Sequence, residues 1–191
     1  MFQVRIHGRG GQGVVSAAEM LSVAAFIEGR HAQAFPSFGS ERMGAPVMAF
    51  CRIADSAIRL REPVMRPDAL IIQDPTLLHQ VDLFNGLAPN GFILLNSTRG
   101  LEELGIGEIA SRLPEGHART VPATELALKH VGRPLPNAAL LGGFAAITGE
   151  LTIEAVTRAI AEKFPGAVGE KNVAAAQAAF DAARTTESAH A

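Results

Sequence analysis

Short apolar runs alternate with alanine-rich stretches along this chain, and that alternation is typical of an α/β protein. The apolar runs predict β-strands at Phe2–His7, His31–Phe35, Pro46–Ile53, Ala57–Leu60, Ala69–Ile72, Phe92–Leu95 and Thr120–Val121. The stretches with helical periodicity or helix-start signals predict helices at Gln12 to about Glu28, Asp74 to about Val81, Ala123–His130, Asn137 to about Thr148, Ile153–Phe164 and Val173 to about Arg184.

The order of these elements predicts an α/β fold with a Rossmann-like, mostly parallel sheet and helices on both faces. One pair of strands departs from the alternation, because only Ala54-Asp-Ser56 separates Pro46–Ile53 from Ala57–Leu60. That spacing predicts an inserted β-hairpin. A chain of 191 residues can bury one full core. We therefore expect a single domain over residues 1–191, ending in a helix and a frayed polar tail at about 166–191.

Charge and hydropathy narrow the class of protein. The formal net charge of −2 and the scattered basic residues give no footprint for nucleic acid. No window approaches the ~18 unbroken apolar residues of a membrane span. Arg5 and His7 interrupt any apolar run at the N-terminus, so no signal peptide is predicted. We therefore expect a cytoplasmic protein.

The cysteine content limits which redox groups this chain could hold. Cys51 is its only cysteine, which excludes an internal disulfide and a cysteine-rich iron–sulfur or zinc site. Cys51 lies in the apolar run Pro46–Ile53, which favours a buried, inert thiol over a reactive one. Any iron–sulfur centre would have to belong to a partner chain.

Four glycines follow the first predicted strand and precede the first helix. Gly8, Gly10 and Gly13 satisfy the spacing G-x-G-x-x-G, and Gly11 lies between them. Such a turn brings backbone N–H groups to a helix N-terminus, where anions bind. A dinucleotide site also needs a carboxylate at the tip of the second strand, and His31–Phe35 has none there. Three alternatives stay open: a purely structural turn, an NAD(P) site, and a site for another phosphate-bearing or acidic group.

A second loop is expected to meet the glycine turn at the carboxyl edge of the sheet. It carries Ser40, Glu41 and Arg42, which leave the second strand on that side. Arg42 would bind a phosphate or carboxylate, or would pair with Glu41 at the surface. Arg9, inside the turn, would face either a ligand or solvent. No pair of histidines has zinc-binding spacing, and no nucleophile elbow or Walker A sequence occurs. These patterns favour a subunit over a free enzyme.

The segments Gly8–Val14 and Phe38–Gly44 together resemble the gamma subunit of the 2-oxoacid:ferredoxin oxidoreductases, the family of pyruvate:ferredoxin oxidoreductase. Further similarity lies in Asp55–Arg59, in Pro67-Asp68 and in Pro136–Gly143. The resemblance covers roughly residues 2–165. The chain is similar as well to the small subunit of indolepyruvate oxidoreductases. Pyruvate, 2-oxoglutarate, branched-chain and aryl 2-oxoacids therefore all stay open as substrates of the enzyme.

The resemblance implies an enzyme that oxidatively decarboxylates a 2-oxoacid to an acyl-coenzyme A and passes the electrons to ferredoxin or a similar acceptor. It implies thiamine diphosphate, Mg²⁺ and 4Fe–4S clusters on alpha, beta and delta type subunits, and a noncatalytic chain here that supports assembly. A coenzyme A contact is our inference for the residues of the two loops, Gly8, Arg9, Gly10, Gly11, Gln12, Gly13, Ser40, Glu41 and Arg42. The alternative is a free-standing dinucleotide-binding oxidoreductase or ligand-sensing module.

Overall fold

The computed structural model describes residues 1–37 and 42–185. Six strands are present in this part of the chain: β1 (Phe2–Arg9), β2 (His31–Pro36), β3 (Pro46–Ala54), β4 (Ala69–Ile72), β5 (Phe92–Asn96) and β6 (Ala118–Val121). The α-helices of the same part are α1 (Val14–Ile27), α2 (Gly107–Ser111), α3 (Ala123–His130), α4 (Asn137–Thr148), α5 (Ile153–Lys163) and α6 (Ala167–Thr185). A short 3₁₀ helix spans Pro75–His79.

The strands form one mixed sheet in the order β2-β3-β1-β4-β5-β6. The pairs β1–β4, β4–β5 and β5–β6 are parallel, whereas β3 runs antiparallel to both of its neighbours. The predicted mostly parallel α/β sheet is therefore confirmed. The four parallel strands β1, β4, β5 and β6 end at the same edge of the sheet. The loops after β1 and β4 therefore lie next to each other.

The predicted hairpin is wrong in its second strand. Residues 57–60 form no strand, and β3 pairs instead with β2 and β1. Arg52 of β3 lies opposite Gln33 on one side and opposite Gln3 on the other. Because both edges of β3 are occupied, a returning strand has no free edge to pair with. The inserted antiparallel element is the β2–β3 pair.

Alternation along the strands divides the sheet into two faces. Val4, Ile6, Ile71 and Leu94 face the larger core, which α1, α4, α5 and α6 cover. The opposite face of β4 and β5 packs against Leu77, Leu83, Leu104 and Ile106, and Ile109 of α2 joins this smaller cluster. Helices thus lie on both faces, as predicted, although the second face is covered mainly by loops and short helices.

Helices α4 and α6 approach so closely that only glycine fits between them. A Cβ on Gly142 would lie 1.8 Å from the carbonyl oxygen of Ala176.

Helix α6 begins at Ala167, earlier than the predicted Val173. Its first turn includes Gly169, where a Cβ would lie 1.8 Å from the carbonyl oxygen of Phe164. Gly169 weakens the sequence signal for a helix here. The same residue lets α6 pack against the end of α5. The predicted frayed tail after Thr185 lies outside the described residues.

The half of the second face formed by β1 and β3 is polar although it is buried. Arg5, His7 and Arg52 are 7%, 4% and 1% exposed. Arg5 donates from Nε to His7 Nε2 at 3.0 Å and from Nη2 to the carbonyl oxygens of Leu83 and Asn85, both at 2.8 Å. Burial, with the Arg5 charge nearby, lowers the pKa of His7 to about 3. His7 is therefore a neutral acceptor for Arg5 at physiological pH.

Candidate functional site at the carboxyl edge of the sheet

The glycine turn links β1 to α1, as the sequence predicts. Gly11 and Gly13 have φ values of 91° and 73°, which favour glycine. Gly13 is the residue before the first turn of α1, so it offers no side chain to cap that helix, and the first turn contains no acidic residue. Gly11 is exposed. No acidic side chain in the first turn of α1 therefore neutralises the positive end of the helix dipole.

The space that the glycines open is filled by the protein itself. A Cβ on Gly8 would lie 2.5 Å from Cγ2 of Val14, and one on Gly13 would lie 2.5 Å from Nδ2 of Asn137 at the start of α4. Asn137 is buried, and its Nδ2 lies 3.4 Å from the carbonyl oxygen of Gly13. These contacts support the structural alternative for Gly8 and Gly13. A ligand at this edge would meet the outer side of the turn.

The second loop meets the glycine turn at Gly10. Gly10 donates from its N–H to the carbonyl of Ala45 at 2.9 Å and accepts from the N–H of Gly44 at 3.1 Å, and it forms a bridge with Met43. A Cβ on Gly10 would lie 2.2 Å from the carbonyl oxygen of Arg42. The predicted convergence of the two loops is therefore confirmed over these residues. Arg42 is exposed, whereas Ser40 and Glu41 lie outside the described residues.

The Arg9 side chain is 20% exposed and is bound by acceptors of the chain itself, whereas the sequence leaves a ligand or solvent open for it. Its Nε donates to Asp74 Oδ2 at 3.1 Å, and its Nη1 donates to the carbonyl of Gly44 at 3.0 Å. Its Nη2 donates to Thr76 Oγ1 at 2.7 Å and to Gln80 Oε1 at 2.9 Å. One guanidinium thus joins the glycine turn, the second loop and the 3₁₀ helix.

Gln12 completes this network from inside the turn. Its Oε1 accepts from the backbone N–H of Arg9 at 2.8 Å, and its Nε2 donates to Asp74 Oδ2 at 2.9 Å. Burial of Asp74 favours its neutral form, but hydrogen bonds from Thr76 and Gln12 and the charge of Arg9 outweigh it, so the pKa of Asp74 is lowered. Asp74 is not among the residues that the sequence predicts for the site. The available signal was an Asp-Pro pair that begins two residues after the end of a buried parallel strand.

Gln73, directly after β4, is a second residue of the site that the sequence does not predict. It is 1% exposed, and neither Nε2 nor Oε1 has a hydrogen-bond partner among the described residues. A Cβ on Gly8 would lie 3.2 Å from its Oε1, so the amide lies against the glycine turn. Buried amides are rarely left unpaired, and a water molecule or a ligand group at this edge would satisfy this one.

The described part of the chain offers neither a metal-ligand cluster nor a membrane-spanning helix. Within residues 1–37 and 42–185, no group of three or more histidine, cysteine, aspartate or glutamate side chains is arranged to hold a metal ion. Cys51 is fully buried, as predicted, and burial raises the pKa of its thiol to about 12. None of the helices described has the length and apolar character needed to cross a bilayer.

The fold is an α/β module with a mixed sheet. At its carboxyl edge, a second loop packs against the glycine turn, and the Arg9 side chain joins the two. The family model described as pyruvate ferredoxin/flavodoxin oxidoreductase matches residues 3–182, and the chain belongs to that family. The resemblance to its gamma subunits, predicted from the two motif loops, is confirmed.

Named relatives resemble the chain along nearly its whole length. The pyruvate synthase subunit PorC of Methanothermobacter marburgensis is 46% identical over 181 residues, which is 95% of this chain and 97% of that protein. The pyruvate/ketoisovalerate oxidoreductases common subunit gamma of Thermococcus kodakarensis is also 46% identical, over 95% of this chain and 96% of that protein. The crystal structure of pyruvate oxidoreductase subunit PORC from Thermotoga maritima superposes with a TM-score of 0.78 at 34% identity, covering 94% and 95% of the two chains.

Proposed function

We propose that this chain is the gamma subunit of a multisubunit 2-oxoacid:acceptor oxidoreductase, which converts a 2-oxoacid to an acyl-coenzyme A and reduces ferredoxin or a similar acceptor. The observation that carries the proposal is the meeting of the two motif loops at Gly10 and Met43. The relative named as a subunit common to pyruvate and ketoisovalerate oxidoreductases supports a role that does not select the 2-oxoacid. A single gamma-type domain over residues 1–191 and a cytoplasmic location are parts of the same proposal.

The catalytic groups of the enzyme belong, in this proposal, to partner chains of alpha, beta and delta type. Thiamine diphosphate with Mg²⁺ would supply the carbanion chemistry when bound to them, and 4Fe–4S clusters would carry the electrons. The chemistry of this chain supports that division, because its single cysteine is fully buried with a raised pKa and cannot share a cluster without unfolding β3. The role of this chain is to support the assembly and to present its carboxyl edge to the partners.

Coenzyme A would contact that edge on the outer side of the glycine turn. The N-terminus of α1 offers backbone donors beside exposed Gly11, and Arg42 supplies an exposed cation on the adjoining loop. The inner side is closed by Val14 and Asn137, and Arg9 is held by four acceptors of the chain. Of the residues predicted for this contact, Gly11 and Arg42 are therefore the ones that would touch the diphosphate. Gly8, Arg9, Gly10, Gln12 and Gly13 would shape the turn.

The assembly is tested by purifying the tagged chain from its own cells under native conditions and identifying the chains bound to it. We expect alpha, beta and delta type subunits, a cluster-type visible spectrum, and reduction of an electron acceptor that requires a 2-oxoacid and coenzyme A. A colourless chain recovered alone, with measurable NAD(P) affinity, would instead support the free-standing dinucleotide-binding module.

The coenzyme A contact has a separate test in the purified complex. Arg42→Gln removes the exposed cation of the second loop, whereas Arg112→Gln removes an exposed arginine directly after α2 and serves as the control. We expect the KM for coenzyme A to rise about fivefold to tenfold in R42Q with little change in kcat, as for the loss of one exposed phosphate contact. Equal KM values in both variants would exclude Arg42 from the contact and leave the assembly proposal intact.

A further inference from the structure

A loop on the second face of the sheet carries an unusual concentration of cations. We call residues 59–66 the arginine loop. It contains Arg59, Arg61 and Arg66 with Glu62 as its one acidic residue, in a chain of formal net charge −2. All three arginines are exposed, and none takes part in an ion pair with a carboxylate of the described residues. The loop therefore presents three exposed guanidinium groups that make no ion pair with a carboxylate of the described residues, and we call these three arginines the patch.

The arginine loop is held in one conformation by a buried side chain beneath it. Arg52 donates from Nη2 to the carbonyls of Glu62 at 2.6 Å and Pro63 at 3.3 Å, from Nε to Gln3 Oε1 and from Nη1 to Gln33 Oε1. Its guanidinium also lies 5.5 Å from the centre of the Phe35 ring. Burial lowers the pKa of Arg52, against the opposing effect of the Glu62 charge. The contacts that fix this loop therefore require a buried guanidinium, and its desolvation costs free energy.

Further contacts fix both ends of the arginine loop. Gln33 Nε2 donates to the carbonyl of Leu60 at 2.8 Å, and Val64 is buried. At Gly86 a Cβ would lie 2.0 Å from the carbonyl oxygen of Met65, so the loop packs directly on that backbone. A loop ordered in advance loses little conformational entropy when a partner binds it, which increases affinity.

Apolar side chains accompany the arginines on the outer surface. Leu60 is 40% exposed and Met65 is 68% exposed. At the start of the loop, a recess of about 330 Å³ is lined by Met1 and residues 54–60. Arginine and methionine are enriched at protein–protein interfaces, where a central apolar contact is surrounded by polar groups. A long phosphate polymer would gain nothing from exposed Leu60 and Met65, and the net negative charge of the chain would oppose it.

We propose that the arginine loop docks an acidic surface of another protein chain, which places an apolar side chain in the recess beside Met1 and Leu60. The proposal rests on the proposed function, because the partner is taken to be a chain of the same assembly. This interface would lie on the opposite face of the sheet from α1, away from those predicted site residues that the structure describes.

Charge reversal in the assembled complex tests the proposal. The variant R59E/R61E/R66E reverses the patch, and K129E/R158E/K171E makes the same change in net charge at exposed positions elsewhere. We expect the patch variant to retain one partner chain about tenfold less than wild type at physiological salt, whereas the control retains it fully. Retention by wild type should also fall with added NaCl. Equal retention of every partner by both variants, with the same salt dependence, would overturn the proposal.

A crosslink identifies the docked surface directly. Because Cys51 is buried, Met65→Cys provides one accessible thiol for a photoreactive label. We expect a crosslink to an acidic segment of the partner that the patch variant loses. A crosslink within the complex to a segment without acidic residues, or none at all, would overturn the proposal. So would unchanged partner retention combined with binding of a heparin column by wild type but not by the patch variant, since the patch would then bind a polyanion.

The outcomes separate the two proposals. If wild type purifies with no other chain, the proposed function fails. If partners are present and both triple variants retain them equally, only the docking surface fails. Should R59E/R61E/R66E not fold, R59Q/R61Q/R66Q removes the charge without reversing it, and the comparison of salt dependence and crosslinking is made with that variant.

Discussion

Arg9 and Asp74 lie 65 residues apart in sequence, and their ion pair, with Nε 3.1 Å from Oδ2, connects the ends of two neighbouring parallel strands. Because Arg9 also holds the carbonyl of Gly44, it fixes the second loop against the glycine turn. The most specific feature of the candidate site is therefore a contact between protein groups, and it shapes the surface that a ligand or partner would meet.

Loss of the Arg9 side-chain contacts should free the second loop. Arg9→Gln cannot reach Asp74, Gly44, Thr76 and Gln80 together, so we expect trypsin to cleave after Arg42 several-fold faster than in wild type. We also expect a loss of about 1–2 kcal/mol in the free energy of unfolding. Arg112→Gln, which removes an exposed pair with Glu108, is the control and should change neither quantity. Equal cleavage rates in both variants would show that Arg9 does not hold the loop.

Asp74→Asn should alter stability in a defined range of pH. The folded-state pKa of Asp74 is lowered below the ordinary value of about 3.9, so its charge stabilises the fold above about pH 4 and less as the pH falls through the lowered pKa. We expect the asparagine variant to be less stable by about 1–3 kcal/mol at pH 7. Urea unfolding at several pH values should show the two proteins converging below about pH 4. A constant difference down to pH 2 would contradict the lowered pKa.

The contact between α4 and α6 offers a comparison of two adjacent glycines. Gly142→Ala would place a methyl group 1.8 Å from the carbonyl of Ala176, which is rigid helix backbone. We expect a loss of about 2–3 kcal/mol and a melting temperature lower by roughly 5–10 °C. At Gly143 the nearest atoms are Leu94 side-chain carbons at 3.3 Å, which can move. Gly143→Ala should therefore stay within about 1 kcal/mol of wild type, with helix propensity offsetting the crowding. Similar losses in both variants would contradict this packing.

Local patterns predicted the strands and helices whose residues carry enough information by themselves. Ala69–Ile72, Ala123–His130 and Asn137–Thr148 match the observed elements at both ends. An aspartate or a proline precedes each of them directly, and a glycine or a proline follows each within three residues. Thr152 caps α5 in the same local way, since its side chain accepts from the N–H of Ala155. These features depend on neighbours along the chain.

The errors and omissions concern contacts between residues that are distant in sequence. Ala57–Leu60 has a strand pattern, but β1 already occupies the edge of β3 that this segment would need. Arg9 in a glycine turn is expected to face either a ligand or solvent, and its acceptors come instead from Gly44 and from residues after β4. The Gln73 amide, which has no hydrogen-bond partner among the described residues, gives no signal in the sequence. The parts of the site that could not be predicted from the sequence depend on how the loops after β1 and β4 pack together.

Cys51 should be unreactive in the folded protein. It is fully buried on β3, and burial raises the pKa of its thiol to about 12, so neither access nor thiolate is available at pH 8. We expect no modification by iodoacetamide under native conditions and complete modification in urea, measured by intact mass. Partial labelling at the rate of global unfolding is consistent with burial. Rapid labelling of the native protein would show that β3 opens locally, and Met65→Cys could then not be labelled selectively.

His7 should stay neutral across the physiological range and make the fold sensitive to acid above the range governed by Asp74. Its pKa falls from about 6.5 when unfolded to about 3 when folded, so the unfolded state binds the proton first as the pH drops. Stability should therefore decrease below about pH 6.5 with a slope of up to about 1.4 kcal/mol per pH unit. His7→Gln keeps an acceptor for Arg5 and should flatten this slope while leaving the change below pH 4 in place. NMR of the histidine side chains gives the direct measurement: a His7 signal that titrates near pH 6.5 in the folded protein would refute the buried neutral pair.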